Sequence, residues 1–241
     1  MFNMNILGVG IDNLEKSEIL KRIESFLGDG KFHQIATVNP EFILEAQKNK
    51  KFRNILNNCD LNIADGASIK FAFWRKGKKL KSRIAGADLM DKILKIANDR
   101  GLGVFLVANK DGLSSWEETA AAIKKTYPNL DVSGKNINKN ETYQILNAKY
   151  DILFCNFGHP YQELFLNRQK DAIIGLAMGV GGSFDFWTEK QRRAPLWMRK
   201  TGLEWLFRLI QQPSRFRRIF RAVIIFPVKV IFNKKIISGT F

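Results

Sequence analysis

Polar side chains that can donate protons, accept protons or bind phosphate cluster directly after short apolar runs in this sequence. Four such clusters contain Thr37 and Asn39; Asp65; Gln162 and Glu163; and Gly179, Gly181, Gly182 and Asp185. Parallel strands of an open α/β sheet end at one edge, and their ligands bind in the crevice outside that edge. The clusters therefore predict one polar site at the carboxyl ends of several strands.

Asp65 is the strongest single candidate for chemistry, because its carboxylate follows a predicted strand and precedes Gly66. A glycine there allows a ligand to approach the backbone closely. Two interpretations stay open. Asp65 can serve as a general base, or it can cap a helix that begins near Ala67, since aspartate is a preferred N-cap residue.

The glycine-rich segment 179–185 is typical of a loop that lies against phosphate or a nucleotide. The chain has no P-loop, and neither Gly8-Val9-Gly10 nor Gly179-Val180-Gly181 continues as a dinucleotide fingerprint. No two acids stand in an Asp-x-Asp-type arrangement. His33 and His159 are isolated from both cysteines, which argues against zinc. We therefore expect no metal or other cofactor, and cationic side chains or helix N-termini to hold any diphosphate.

Alternating short β-rich and longer helical patterns predict an α/β fold, a Rossmann-like, largely parallel sheet flanked by helices. The predicted strands are 5–9, 34–38, 61–64, 103–107, 151–154 and 173–178. The predicted helices are 14–27, 40–56, 86–98, 114–127, 141–148 and 161–170. Pro40 suits the first turn of its helix, with Asn39 as the cap.

The two cysteines, Cys59 and Cys155, lie beside apolar runs and have no paired spacing, which suits a reducing compartment. Residues 1–10 lack a basic region followed by a long apolar stretch, the pattern of a signal peptide. No stretch of 18 apolar residues predicts a membrane span. These features predict a cytoplasmic protein.

Charge divides the chain near residue 190. Residues 190–241 contain thirteen lysines and arginines and one acid, so +12 of the total formal charge of +16 lies there. We predict a catalytic core over 1–190 and a C-terminal helical basic amphipathic appendage over 191–241. Within 216–226, apolar residues recur at helical spacing, and Pro227 is expected to kink or end that helix.

The appendage has two interpretations that the sequence weighs about equally: a helix that caps the core with a solvated basic face, or a helix on a membrane surface. The scarcity of acids favours an anionic membrane, since each arginine near anionic headgroups contributes roughly 1 kcal/mol. A nucleic-acid-binding module is the alternative from another class, and it leaves the cluster around Asp65 unexplained. A scaffold without enzymatic activity is a third.

Eight short motifs in a fixed order make this chain similar to the WecG/TagA/CpsF glycosyltransferases, glycosyltransferase family 26. They are T-x-N-P-E (37–41), A-D-G (64–66), R-x-x-G (83–86), Y-P-x-L (127–130), F-G-x-P-x-Q-E (157–163), G-V-G-G-S-F-D (179–185), R-R-A-P (192–195) and G-L-E-W-L-x-R (202–208). The sequence departs from the family pattern at 107–110 and at Asn156, His159 and Tyr161. These departures bear on the identity of the transferred sugar more than on the reaction.

The resemblance implies an inverting transfer of a hexose, N-acetylmannosamine in the main branch, from a UDP-sugar to a sugar on undecaprenyl diphosphate. It implies that Asp65 is the base, that Arg83 binds a diphosphate, and that the sugars are oriented by Thr37, Asn39, Gln162 and Glu163. It also implies that the uridine lies beside Gly179, Gly181, Gly182 and Asp185, and that the lipid diphosphate is bound by Arg215, Arg218 and Arg221. The expected location is peripheral, on the inner face of the cell membrane. Nucleic acid is not an expected partner, and the chain can be a monomer or a homo-oligomer.

Overall fold

A six-stranded parallel sheet forms the centre of the computed structural model, which describes residues 3–145, 150–170 and 175–233. The strands are a separate hairpin of β1 (Met4–Ile6) and β2 (Val9–Ile11), then β3 (His33–Val38), β4 (Leu61–Ala64), β5 (Val104–Asn109), β6 (Val132–Ile137), β7 (Ile152–Cys155) and β8 (Leu176–Gly179). The sheet order is β4-β3-β8-β7-β5-β6, all neighbours parallel. The predicted α/β, Rossmann-like fold is confirmed.

Helices cover both faces of this sheet and form the C-terminal part of the chain. They are α1 (Lys16–Phe26), α2 (Pro40–Ala46), α3 (Lys50–Asn57), α4 (Ala67–Arg75), α5 (Gly86–Arg100), α6 (Trp116–Thr126), α7 (Tyr161–Asn167), α8 (Ser183–Trp187), α9 (Leu196–Thr201), α10 (Glu204–Gln211), α11 (Phe216–Phe220) and α12 (Phe226–Phe232). A 3₁₀ turn (Pro213–Arg215) precedes α11, and a π-helical turn (Arg221–Ile225) joins α11 to α12.

Burial on both faces explains why the central strands are mostly apolar, although β3 also buries His33, Gln34 and Thr37, and β4 buries Asn62. Every residue of β3, β4, β7 and β8 is buried. Strands of a parallel sheet covered by helices lose the polar–apolar alternation that marks a half-exposed strand. The apolar runs in the sequence therefore located these strands well.

The N-terminal segment and the first long helix differ from the prediction. The predicted strand 5–9 is a hairpin that turns at Leu7 and Gly8, both with positive φ (51° and 88°). The predicted helix 40–56 is two helices, because the Asn49 side chain accepts a hydrogen bond from the Phe52 backbone N–H (3.0 Å) and starts α3 anew. A local cap overrides a continuous apolar pattern here.

Several other elements depart from the sequence pattern. Strand β6 was not predicted, and helix α4 was expected only in the interpretation of Asp65 as the cap of a helix that begins near Ala67. Strand β6 is the edge strand beside β5, and four of its six residues are partly or fully exposed, which weakens its apolar signal. Residues 141–145 are not helical, and the rest of the predicted helix 141–148 reaches residues outside those described. The predicted strand 173–178 begins outside the described residues, and β8 runs to Gly179.

Pro227 was expected to kink or end the C-terminal helix, and it does not end it. The π-helical turn interrupts the regular hydrogen-bond ladder just before Pro227, and α12 continues to Phe232. Phe226 and Val230 of α12 are buried in the same apolar cluster as Ile69 and Phe73 of α4. No helix in the described part of the chain has the length and apolarity needed to cross a bilayer.

Candidate functional site

Strand register brings the first two polar clusters side by side. Val38 at the end of β3 pairs with Ala64 at the end of β4, and the Asp65 backbone N–H donates to the Val38 carbonyl (2.8 Å). Asn39 and Asp65 therefore leave the carboxyl edge of the sheet on neighbouring strands. The sequence predicted this juxtaposition from strand ends alone.

The Asp65 side chain does not cap α4. The N-cap of α4 is Gly66, and no side chain caps that end. The Asp65 carboxyl instead lies near the backbone N–H of Gly86, the first residue of α5, which acts to lower its pKa. The cap interpretation is therefore wrong for α4, and Asp65 links the end of β4 to the start of α5.

The surroundings of Asp65 keep its carboxyl easier to protonate than an ordinary aspartate. Burial raises the pKa of Asp65 to about 6, and the negative charge of Glu204 acts in the same direction. The positive charges of Arg208 and Arg83 lower that pKa, by less than burial raises it. A carboxyl with a pKa near neutrality can take up and release a proton under working conditions.

Two glycines allow the elements around Asp65 to approach each other closely. Gly66 has φ +96°, and a Cβ at that position would lie 3.2 Å from Cδ of Pro40. A Cβ on Gly86 would lie 3.1 Å from the Thr37 hydroxyl oxygen. Thr37 and Asp65 thus both lie against the start of α5, and the A-D-G and R-x-x-G motifs supply the space.

Asn39 uses its side-chain oxygen to start α2. Its Oδ1 accepts hydrogen bonds from the backbone N–H groups of Glu41 (2.9 Å) and Phe42 (3.1 Å), as the predicted cap requires. The amide NH₂ is the polar group that remains for a ligand. The cap fixes the direction of the side chain at the sheet edge.

Arginines from the C-terminal segment surround the same edge. Arg83 donates a hydrogen bond to the backbone carbonyl of Arg199 in α9, so the R-x-x-G motif is attached to the C-terminal helices. Arg208 pairs with Glu204 at 2.6 Å. Asp88, near the start of α5, accepts ion pairs from Arg193 (2.8 Å) and Arg199.

Gln162 connects the loops that follow β7 and β8. Its Oε1 accepts hydrogen bonds from the backbone N–H groups of Gly158 (3.0 Å) and Gly181 (3.1 Å). Its Nε2 donates to Oε1 of Glu163 (2.7 Å) and lies so close to Gly179 that a Cβ there would collide with it. Two of the predicted polar clusters are therefore joined by one buried side chain.

Glu163 is buried, at 2% exposure, in the interior beneath those loops. Burial raises the pKa of Glu163 to about 8, although the hydrogen bond from Gln162 opposes the rise. Its Oε2 has no hydrogen-bond partner among the described residues. A carboxyl in this position carries its proton at neutral pH.

Asp185 is held by Ser114, whose hydroxyl donates to Oδ1 at 2.8 Å. Burial raises the pKa of Asp185, and the Ser114 hydrogen bond and the charge of Arg215 oppose that rise. This contact joins the glycine-rich loop after β8 to the loop after β5. Ser114 could not be recognised from the sequence, because a single serine in a loop has no distinctive spacing.

The C-terminal arginines meet the first motif. Arg218 of α11 makes a two-point ion pair with Glu41 of α2, with Nε–Oε1 at 2.9 Å and Nη2–Oε2 at 2.8 Å. Burial lowers the pKa of His159. The negative charge of Glu41 acts to raise that pKa, and the positive charges of Arg218 and Arg221 lower it further. His159 also contacts the ring of Phe42 at 5.1 Å between centroids. The segment 156–163 and the appendage thus converge on α2.

Two cavities lie beside this region, and Asp65 lines neither of them. The smaller, about 290 Å³, lies at the carboxyl ends of β5 and β6 and is lined by Asn109, Lys110, Gly112, Leu113, Ser115, Glu118 and Asn136. The larger, about 690 Å³, lies between α5, α6 and the segment after β8, next to Phe186, Trp187 and Arg193. Asp65 lies at its own part of the edge, beside Glu204 and Arg208.

A parallel, doubly covered sheet whose polar residues gather at one edge defines the class of α/β proteins that bind nucleotides or their derivatives in that crevice. The chain belongs to the Glycosyl transferase WecG/TagA/CpsF family, whose model matches residues 4–238, and it is a glycosyltransferase. The resemblance inferred from the eight motifs is confirmed.

Relatives of this chain carry a more specific name. An N-acetylglucosaminyldiphosphoundecaprenol N-acetyl-beta-D-mannosaminyltransferase of Bacillus subtilis (strain 168) is 32% identical over 216 residues, which cover 87% of this chain and 80% of that enzyme. The enzyme of the same name from Staphylococcus aureus (strain MW2) is 29% identical over 240 residues, 96% of this chain and 93% of its own length.

Proposed function

We propose that this glycosyltransferase moves a hexose, N-acetylmannosamine in the first instance, from a UDP-sugar to a GlcNAc-diphospho-undecaprenol acceptor in the synthesis of a cell-wall or surface polysaccharide. The observation that carries the proposal is the Asp65 carboxyl, with a pKa of about 6, beside Arg83 and Arg208 at the sheet edge. The Bacillus subtilis and Staphylococcus aureus relatives are named for such an acceptor, which supports the choice of substrates.

In the proposed reaction, the Asp65 carboxylate accepts the proton of the acceptor hydroxyl while that oxygen bonds to the anomeric carbon. The bond between the anomeric carbon and the β-phosphate oxygen breaks, and UDP leaves with both electrons of that bond. Direct displacement inverts the configuration of the anomeric carbon. A base with a pKa near working pH suits this step, since it is mostly ionised before attack and still basic enough to accept the proton.

The departing diphosphate gains negative charge, which nearby cations can stabilise. Arg83 suits this role, because guanidinium binds phosphate oxygens at two points and stays charged. We propose that the reaction proceeds without a divalent ion, on the basis of the missing Asp-x-Asp motif and the arginines around Asp65. Among the residues the structure describes, no three His, Cys, Asp or Glu side chains form a group that could hold a metal ion.

We place the nucleotide of the donor at the cavity after β5 and β6. The contact between Ser114 and Asp185 brings the glycine-rich loop to its rim, and Asn109 and Asn136 supply amides that can read a base or ribose. Gly179, Gly181 and Gly182 would then lie near the diphosphate. Gln162 and Glu163 would act by holding these loops in place, a more indirect role than the sugar contacts expected from the sequence.

The acceptor is proposed to enter from the side of the appendage. Phe216, Phe220 and Ile224 expose 58%, 43% and 47% of their surface, an apolar stripe that suits the headgroup boundary of a bilayer. Arg215, Arg218 and Arg221 would meet the lipid diphosphate there. The division of the chain near residue 190, the peripheral location on the inner membrane face and the oligomeric state remain predictions.

A panel of UDP-sugars incubated with a short-chain polyprenyl-diphosphate-GlcNAc, with products identified by mass spectrometry, tests the proposal. We expect one added hexose from UDP-N-acetylmannosamine, retained in excess EDTA. Absence of product with every UDP-sugar would reject the proposed reaction, and strict dependence on magnesium or manganese would reject its metal-free form. Salt-sensitive binding to DNA or RNA together with no transfer would favour the nucleic-acid alternative.

A further inference from the structure

Helix α4 presents an exposed aromatic and basic face that none of the steps above uses. Trp74 exposes 70% of its surface, and Lys70, one turn earlier on the same side of α4, is also exposed. The opposite face buries Ile69 and Phe73. Trp74 contacts the ring of Phe71 at 5.8 Å between centroids, so its position on the surface is supported from below.

The segment that contains α4 and the following loop is basic throughout. Residues 66–87 contain seven lysines and arginines and no aspartate or glutamate. Lys70, Lys78 and Lys79 are exposed and form no ion pair with another described residue. Lys81, in the same loop, contacts Glu18 at 3.7 Å. The positive charge around Trp74 is therefore largely unneutralised by the protein.

Backbone hydrogen bonds hold this loop in a defined shape. The Lys78 N–H donates to the Phe73 carbonyl (3.0 Å), which folds the loop back onto the end of α4. Asn13 donates from Nδ2 to the Lys79 carbonyl (2.9 Å) and accepts from the Lys81 N–H (2.8 Å). Lys78 and Lys79 are thus presented on a fixed platform, which reduces the entropy lost when they bind a partner.

The appendage lies next to this platform. Phe226 and Val230 of α12 are buried against the inner side of α4, while Val228 and Phe232 of α12 expose 44% and 77% of their surface. Two neighbouring helices, one from the core and one from the appendage, therefore both present apolar side chains and lysines to solvent. Tryptophan is enriched at the boundary between a membrane and water, because its ring is apolar and its N–H is polar.

We infer that Lys70, Trp74, Lys78 and Lys79, here called the α4 surface, form a second membrane contact that belongs to the core. Its partner is the surface of an anionic bilayer: Trp74 inserts at the headgroup level and the three lysines neutralise lipid phosphates. The inference rests on the proposed function in one respect, because a lipid-linked acceptor requires the enzyme to work at a bilayer. Two separated contacts would also fix the orientation of the sheet edge toward that bilayer.

The test compares full-length variants in sedimentation with vesicles of phosphatidylcholine alone or mixed equally with phosphatidylglycerol. Lys78→Ala/Lys79→Ala removes two lysines of the α4 surface, and Trp74→Ala removes the aromatic side chain. The matched control is Lys124→Ala/Lys125→Ala, an exposed pair in the last turn of α6. Activity of each variant on a water-soluble acceptor analogue is measured in parallel.

We expect the Lys78/Lys79 variant to bind anionic vesicles about 25-fold more weakly, since each lysine near such a surface contributes about fivefold. Trp74→Ala should weaken binding about tenfold, and the control pair should bind like the wild type. Transfer to the soluble acceptor should stay unchanged in all of them. If the wild type transfers no sugar to the soluble acceptor, the proposed reaction is rejected. The vesicle binding of the variants then still decides whether the α4 surface contacts a bilayer.

Three results would overturn the inference. One is vesicle binding by Trp74→Ala and by the Lys78/Lys79 variant that equals that of the control pair. Another is a wild-type dimer that becomes a monomer in Trp74→Ala or in the Lys78/Lys79 variant, measured by analytical ultracentrifugation without lipid, while the variant still binds vesicles. That result would make the α4 surface an interface between copies of this chain. The third is a Lys78/Lys79 variant that loses binding to neutral and to anionic vesicles equally, which would exclude recognition of charge.

Discussion

Arg218 and Glu41 form a two-point ion pair that connects helix α11 of the appendage to helix α2 of the core, at 2.9 and 2.8 Å. Glu41 follows Asn39 by two residues, so the pair lies next to the first polar cluster of the site. Burial acts to raise the pKa of Glu41, but the hydrogen bond and charge of Arg218 more than offset it and the pKa is lowered. The position of the appendage is thus coupled to the sheet edge.

A double-mutant cycle measures this coupling. Arg218→Gln and Glu41→Gln should each lower the free energy of unfolding by about 0.5–1 kcal/mol, and the double variant by less than their sum, because half of the Arg218 side chain is exposed and solvent screens the pair. Denaturant unfolding followed by circular dichroism gives the values. Arg217→Gln, an exposed neighbour on the same helix, is the control and should have little effect; strict additivity in the cycle would contradict the coupling.

The role proposed for Asp65 predicts a defined acid limb in the pH–rate profile. The base must be ionised, so kcat/KM should rise with pH through about 6, the pKa to which burial raises this carboxyl. Asp65→Asn should lower turnover about 10³-fold with the fold intact by circular dichroism. Near-normal turnover in Asp65→Asn would exclude this residue as the base.

Glu204 offers a way to move that acid limb without changing the base. Its negative charge raises the pKa of Asp65, and it also pairs with Arg208 at 2.6 Å. Glu204→Gln removes the negative charge and leaves the Arg208 charge unpaired, and both changes lower the pKa of Asp65. The acid limb of kcat/KM should therefore shift to lower pH, whereas Glu204→Asp should keep it near its wild-type position. A shift to higher pH would contradict the assignment of the limb to Asp65.

The sequence predicted five of the six strands of the sheet and the convergence of their polar ends, because buried parallel strands carry mostly apolar runs. It indicated α4 only through the interpretation of Asp65 as a helix cap, and α4 instead follows Gly66 without a side-chain cap and so lacks the usual start signal. It also could not indicate that Glu41 meets Arg218, because 177 residues separate them and only the folded chain brings them together. Gln162 was recognised as polar, but its contacts with two loop backbones depend on tertiary packing.

Glu163 predicts a pH dependence of stability that differs from that of an ordinary carboxyl. Burial raises its pKa from 4.5 to about 8 in the folded chain, so between these values the folded state holds a proton that the unfolded state releases. The unfolded state binds fewer protons there, and the free energy of unfolding contributed by this group must fall as pH rises from 4.5 to 8. Above pH 8 the contribution levels off.

Glu163→Gln tests this linkage, because an amide of the same shape cannot ionise and can still accept the hydrogen bond from Gln162. Relative to the wild type, the variant should gain stability as pH rises from 5 to 8, on the order of a few kcal/mol over the whole range. Urea unfolding at several pH values measures the difference, with Glu24→Gln, an exposed carboxyl on α1, as the control. If the difference between Glu163→Gln and wild type stays constant with pH, Glu163 is ionised in the folded chain, and the loops joined by Gln162 rest on a charged group rather than a neutral one.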